Sequence, residues 1–197
     1  MLGGIYIGLL TGVFEIGITL LAAIIWKKMS RDATRGIAVG VGAGAFEAIL
    51  LGVGATSAVV LALAFGGEFR ERVLQAIARN ADTTSLIWLV GPVERVITIL
   101  CHVSSRALVL VGVARGHWRW PFLWGFLILT AIDSVAGYVH LSGMLGNIST
   151  WWIELAIAPA ALVSVPVIVW CVRSWPAPPP NKQNQTVGAP AESPPPA

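Results

Sequence analysis

The chain has 197 residues, of which 56% are hydrophobic and only 12% are charged, and its net charge is +3. Soluble domains carry about 25% charged residues, so this composition excludes a soluble globular protein. Nucleic-acid binding is also excluded, because no basic patch is interleaved with aromatic residues. Apolar stretches of bilayer-spanning length recur along the chain, and they predict an all-α, polytopic transmembrane helical bundle of about five spans.

The first predicted span covers residues 2–26, and the second covers 36–65. Each is apolar but contains one glutamate near its middle, Glu15 in the first span and Glu47 in the second. At about 1.5 Å of rise per residue, both lie within roughly 5 Å of the bilayer centre. The second span also carries a stripe of small residues, which predicts the close approach of a neighbouring helix. That stripe consists of Gly36, Gly40, Gly44 and Ala48.

The connection that follows, residues 66–85, has apolar residues at helical spacing with charges on the other face. It predicts a short helix lying on the outer membrane surface. The third predicted span, 86–113, contains a polar seam in which Glu94, His102 and Arg106 are separated by multiples of four residues. His102 is about three residues from the midpoint of this span. One interpretation of Glu94 is a charge pair with Arg95 or Arg106 that merely holds helices together.

The last two predicted spans cover residues 122–141 and 151–171. Asp133 lies about two residues from the midpoint of the fourth span. From Pro176 onward the chain is too poor in apolar residues to fold, which predicts a membrane bundle over 1–175 and a disordered, Pro-rich cytoplasmic tail over 176–197. His117, His140 and Glu154 lie near span ends, where solvation costs little, so their positions indicate no function.

Basic residues predict the orientation in the cell membrane. They are concentrated in the loops after the first and third spans and at the end of the fifth, whereas the loop after the fourth span has none. This alternation predicts a multi-pass protein with an external N-terminus and a cytoplasmic C-terminus. The basic residues concerned are Lys27, Lys28, Arg31, Arg35, Arg115, Arg119 and Arg173.

Four spans thus place an ionisable side chain near the bilayer centre. A charge at that depth costs about 2.5–3.5 kcal/mol on insertion scales. The shared depth predicts that these side chains face one another around one polar cavity, where the cost is reduced. The alternative for His102 is a hydrogen-bonded packing histidine, and for the carboxylates it is an inter-helix hydrogen bond. The four residues are Glu15, Glu47, His102 and Asp133.

These residues belong to motifs that resemble the YhfC family of intramembrane peptidases, relatives of the CAAX-prenyl-protease and PrsW-type membrane proteases. The matching stretches are "VFEIGIT", "GVGAGAFE", "ERVITILCH" and "LILTAID", which together extend over about residues 10–140. The family pattern has a second glutamate at the position of Ile16, a histidine at Ala43, and another histidine at Leu129 or Thr130.

The resemblance implies hydrolysis of peptide bonds within the membrane, with Glu15, Glu47, Glu94, His102 and Asp133 as candidate catalytic residues. Glu15 or Glu47 would act as the general base, and His102 would stabilise the oxyanion or share the proton. A metal site would draw on Glu47, His102 and Asp133, although a zinc mechanism needs about three protein ligands and no HExxH motif is present. The cofactor is therefore open between none and a divalent metal.

Because several motif positions are replaced, the sequence leaves two functions open besides a purely structural helical protein with buried hydrogen bonds. One is an intramembrane peptidase, active or lapsed, whose partners are the lipid bilayer and a membrane protein or peptide substrate. The other is a non-catalytic membrane protein, such as a transporter subunit or a regulatory partner, that binds or passes a substrate through the polar cavity at the midplane.

Overall fold

A computed structural model describes residues 1–83, 85–144 and 149–177 of the chain. The described part is helical, and five of its helices are long and apolar enough to cross a membrane, which confirms the predicted all-α bundle of five spans. The predicted bounds differ from the observed ones by a few residues. Most of the predicted tail, 178–197, lies outside the described residues. The helices are α1 (Leu2–Ile25), α2 (Ala33–Phe65), α3 (Gly67–Thr83), α4 (Val90–Ala114), α5 (Arg119–Leu141) and α6 (Thr150–Ser174).

Helix α4 is the centre of the bundle, and α1, α2, α5 and α6 each pack against it. In its most apolar stretch 78% of the residues are buried, compared with 6% in α2, so α4 is covered by protein and α2 mainly by lipid. This explains why α4 tolerates polar residues on several faces: a polar side chain on a central helix meets other helices rather than acyl chains.

Glycines bring α2 close to α4, as the small-residue stripe predicts. A Cβ atom added to Gly40 would lie 2.5 Å from the Cα of Val103, and one added to Gly44 would lie 3.1 Å from the Cα of Ile99. Only hydrogen fits at Gly40, and a methyl group at Gly44 would be tight, so the backbones approach closely. Gly36 lies instead against the ring of Trp175. This contact between α2 and α4 sets the position of Glu47, two turns further along α2.

We expect Gly40→Ala to destabilise the protein by about 1–3 kcal/mol, because the new methyl group overlaps the backbone of α4. Gly42→Ala is the matched control, since a Cβ there has nothing within 4 Å; it should be neutral or slightly stabilising because alanine favours the helix. Unfolding of the purified protein by denaturing detergent measures both. Equal stability of the two variants would contradict the close packing.

A second glycine stripe, which is not among the sequence predictions, joins α1 to α5. Gly4, Gly8 and Gly12 are buried on one face of α1. A Cβ at Gly4 would lie 2.7 Å from the backbone oxygen of Ser134, and Gly8 and Gly12 contact the Ser134 and Thr130 side chains. Since Glu15 follows this stripe by less than one turn, the packing of α1 on α5 determines where that carboxylate lies.

One end of the bundle collects the basic loops, and we call it the basic end. The Arg115 side chain donates a hydrogen bond from Nε to the backbone oxygen of Ser174 at 2.8 Å, and Trp175 donates from Nε1 to the backbone oxygen of Ser30 at 2.9 Å. These bonds tie together the α1–α2 loop, the α4–α5 loop and the end of α6. That the basic end is cytoplasmic remains a prediction.

Helix α3 forms where the amphipathic pattern predicts it, at the opposite end of the bundle. Two glycines with positive φ, Gly66 at 68° and Gly67 at 67°, separate it from α2. Other residues rarely adopt this conformation, so the glycines allow the chain to turn sharply between the two helices. The location of α3 on the membrane surface remains a prediction.

Candidate functional site

The imidazole of His102 is the centre of the candidate site. It is 2% exposed, and both ring nitrogens have partners: Nε2 lies 2.6 Å from Oε2 of Glu47, and Nδ1 lies 2.6 Å from a guanidinium nitrogen of Arg106. Arginine is always a donor, so Nδ1 accepts and the ring proton is on Nε2, which donates to the Glu47 carboxylate. His102 is therefore assigned as a neutral imidazole held in one tautomer.

Glu15 reaches the same histidine from α1. Its Oε2 atom accepts a hydrogen bond from Arg106 at 2.5 Å and lies 3.5 Å from Nδ1 of His102. The Arg106 side chain is 6% exposed, so its charge is buried and is compensated by Glu15. One arginine thus connects a carboxylate on α1 with the imidazole on α4.

A second arginine, on the other side of His102, also connects two side chains of this network. Arg95 donates to Oε1 of Glu47 at 3.1 Å and to Oε1 of Glu94 at 2.5 Å. The result is a continuous chain of charge-assisted hydrogen bonds across α1, α4 and α2. We call it the polar cluster, and its members are Glu15, Glu47, Glu94, Arg95, His102 and Arg106.

Two of the predicted site residues form no hydrogen bond with His102. Glu94 joins the polar cluster through Arg95 alone, because it precedes His102 by about two turns of α4. Asp133 on α5 lies within electrostatic range of Glu15, Glu47 and His102, with its carboxylate beside the Thr11 hydroxyl. Among the described residues it forms no hydrogen bond with the polar cluster. Glu15, Glu47 and His102 are the predicted residues that the fold brings into contact.

The two arginines are not among the candidate site residues that the sequence predicts. The sequence offers Glu94 with Arg95 or Arg106 as a possible charge pair; the Glu94–Arg95 pair is present in the structure, and Arg95 and Arg106 also contact Glu47 and Glu15. Part of the signal is local, since His102 and Arg106 are four residues apart and therefore share a helix face. The partners on α1 and α2 are far away in sequence and give no such signal.

A cleft between α1 and α2 leads to the polar cluster. These two helices make almost no direct contact with one another, and a cavity of about 500 Å³ separates them in front of α4. Glu15, Glu47, His102 and Arg106 form its floor. The rim is apolar and faces outward, with Phe14 and Phe46 58% and 62% exposed. In a bilayer this cleft opens sideways to the acyl chains.

The described residues do not fit the metal site that Glu47, His102 and Asp133 were expected to offer. Within the described ranges, no three His, Cys, Asp or Glu side chains are arranged to hold an ion. The chemistry agrees, because a ligand must supply a free lone pair. The lone pair of Nδ1 of His102 is taken by Arg106 and Nε2 carries the proton, so this arrangement leaves the imidazole no lone pair for a metal.

The replaced motif positions have structural roles of their own. Ile16 and Leu129 are 0% and 1% exposed and belong to one apolar core cluster with Val109. Where the resemblance leads one to expect a glutamate and a histidine, this chain has two hydrophobic side chains in the same core cluster. Ala43, the third replaced position, lines the cleft beside Glu47. At these positions the chain therefore offers apolar side chains, which cannot act as ligands.

Comparisons with known proteins agree with the resemblance. The model of the YhfC intramembrane metalloprotease family matches residues 1–157. The chain is also similar to the "Uncharacterized membrane protein YhfC" of Bacillus subtilis (strain 168), with 29% identity over 183 residues, which cover 87% of this chain and 68% of that protein. No solved structure matches the chain.

Proposed function

This chain belongs to the YhfC intramembrane metalloprotease family, and we propose that it binds a membrane-embedded peptide in the α1–α2 cleft and hydrolyses it there. The observation that carries this proposal is the place of the polar cluster. Its charged groups form the floor of a cleft that is open to lipid. A network that only held helices together would gain nothing from an opening toward acyl chains, because charged groups that face lipid without full compensation are costly.

The lining of the cleft indicates the kind of substrate. Apolar side chains on both sides of the entrance, including Phe14, Ile18, Phe46 and Leu50, suit the apolar side chains of a transmembrane segment. The floor offers guanidinium donors and carboxylate acceptors to a peptide backbone. Such groups can only bind a segment whose backbone is not fully paired, so the substrate is a locally unwound stretch of a membrane helix.

Hydrolysis at this floor would use the chain's own side chains. Glu47 accepts a proton from water as the water oxygen attacks the peptide carbonyl, and it returns that proton to the departing amide nitrogen. The His102 imidazole orients Glu47 through its Nε2–H, and the Arg106 guanidinium stabilises the negative charge on the carbonyl oxygen. The metal that the family's name implies does not fit the described donors, and the chemistry above uses side chains alone.

A second candidate function is peptide binding without hydrolysis. It is favoured by the pairing of Glu47 with both Arg95 and His102, since a carboxylate with two donors is a weaker base. The packing of Ile16 with Leu129 in the core cluster also favours it, because a chain released from catalysis can replace polar motif residues. This candidate would act as a regulatory or carrier protein for membrane-embedded peptides.

Site-specific photocrosslinking tests the proposal. The full chain, with a photoreactive residue at position 46 on the rim, is reconstituted in vesicles with a labelled transmembrane reporter peptide, and crosslinks and cleaved fragments are both measured. We expect crosslinks from position 46 and fragments from unmodified protein, with or without a chelator. The matched control is position 51 of α2, because Leu51 is exposed but lies outside the cleft lining.

Each result separates the candidates. Crosslinks at position 46 with no fragments would support binding without hydrolysis. Equal crosslinking at positions 46 and 51 would show that the cleft does not select the peptide and would remove both candidates. Loss of fragments on adding the chelator would contradict the metal-free chemistry.

A further inference from the structure

Glu154 is a buried carboxyl group that the polar cluster does not use. It lies near the start of α6, at the end of the bundle opposite the basic end, where solvation would cost little. The structure nevertheless buries it, because Glu154 is 4% exposed. Its Oε2 atom is buried and has no hydrogen-bond partner among the described residues. Such groups are rare in native proteins and require an explanation.

A small cavity adjoins this carboxyl group. It has a volume of about 70 Å³ and lies between α4, α5 and α6, with Glu94, Ala136 and His140 among its lining residues. Since a water molecule takes about 30 Å³ of liquid volume, the cavity has room for roughly two waters, which would satisfy the orphaned oxygen. His140 is exposed and stands next to the end of α5, so the cavity lies close to the surface at that end.

The charges that face Glu154 do not compensate a second negative charge. On α4, Glu94 and Arg95 are its ionisable neighbours, and Arg95 is already paired with both Glu94 and Glu47. On α5, His140 lines the same cavity. No described cation lies within ion-pair distance of Glu154. A carboxyl group buried without a cationic partner is neutralised by taking up a proton.

From this geometry we propose that Glu154 is a proton-binding site, served by water from the end of the bundle opposite the basic end. The proton is held on the carboxyl oxygen and exchanges with water in the cavity. The site adjoins the polar cluster, because Glu94 lines the same cavity and leads through Arg95 to Glu47. It deepens the proposed function, since hydrolysis at the midplane needs access for water and protons.

Infrared spectroscopy of the reconstituted full chain tests this site directly. Wild type should show the carbonyl stretching band of a protonated carboxylic acid, and the band should shift when vesicles are transferred to D₂O. Glu154→Gln should remove the Glu154 contribution from that band, which a wild-type-minus-variant difference spectrum separates from other protonated carboxyl groups such as Asp133. Glu68→Gln is the matched control, because Glu68 is exposed on α3 and its replacement should leave the band unchanged.

A cavity-filling variant tests whether water reaches Glu154 through this cavity. Ala136→Leu should keep the band but slow its shift in D₂O by at least about tenfold, since exchange would then need a local opening of the bundle. Ala131→Leu, on the same helix but in a different groove, should exchange like wild type. The proposal is overturned if Glu154→Gln leaves the band at its full wild-type intensity, if the Glu154 part of the band does not exchange, or if Ala136→Leu exchanges as fast as wild type. None of these measurements uses a substrate, so failure of the proposed hydrolysis would leave them unaffected.

Discussion

Glu47→Gln should lower the rate of reporter cleavage by about 10²–10⁴-fold, the contribution typical of a general base. Glutamine has the size of glutamate, but its single amide oxygen can keep only one of the two hydrogen bonds, that from Arg95 to Oε1 or that from Nε2 of His102 to Oε2. It cannot take the proton from water, so the loss of the base should dominate the effect of the variant. Initial rates of fragment release in vesicles give the effect, and denaturing-detergent unfolding shows that the fold is retained.

Two further variants make this result specific. Glu68→Gln is the same chemical change on exposed α3, far from the cleft, and should cleave at the wild-type rate. His102→Gln removes the group that orients Glu47 and should lower the rate less than Glu47→Gln does. If Glu47→Gln keeps the wild-type rate, Glu47 is not the base and the proposed mechanism is wrong.

Much of the fold follows from the sequence because lipid imposes a simple rule. Every spanning segment must pair its own backbone, so apolar stretches of sufficient length become helices, and all five predicted spans are helices in the structure. The same rule penalises charges at the midplane, which is why the depths of Glu15, Glu47 and His102 anticipate their meeting. In a membrane protein, the depth of an ionisable residue in the bilayer thus indicates by itself which other residues it can meet.

The depth of a residue in the bilayer does not specify how its helix is rotated about its own axis. The remaining errors in the predictions come from this limit. The face that α5 turns toward α1 is set by the stripe of Gly4, Gly8 and Gly12, and it leaves Asp133 beside the polar cluster rather than within it. Burial likewise depends on neighbours. Glu154 lies near a span end, yet α4 and α5 cover it.

The arginines show a second limit, which is sequence distance. Arg106 pairs with Glu15 across 91 positions, and Arg95 pairs with Glu47 across 48. Nothing in a single sequence specifies which carboxylate an arginine will meet at that separation. The spacing of Arg106 and His102 within one helix was visible, but a local pair alone does not distinguish a packing contact from part of a larger network.

Arg106→Met should be the most destabilising single change in the polar cluster, lowering the free energy of unfolding by about 3–5 kcal/mol. Methionine fills a similar volume but carries no charge. Glu15 would then lose its cationic partner within the bundle, and Nδ1 of His102 would lose its donor. Denaturing-detergent unfolding of the purified protein measures the loss. Arg72→Met is the control, because the exposed Arg72–Glu68 pair should contribute less than about 1 kcal/mol.

The double variant Arg106→Met, Glu15→Gln shows whether the lost stability comes from breaking the Glu15–Arg106 pair or from removing the arginine alone. If the cost comes from an uncompensated carboxylate, neutralising Glu15 should restore a large part of the lost stability, because a buried pair replaced on both sides is often close to neutral. If the stability losses of the two single variants simply add in the double variant, the Glu15–Arg106 contact makes no specific contribution to stability. The cleft would then have to be explained without the bridge that links α1 to His102.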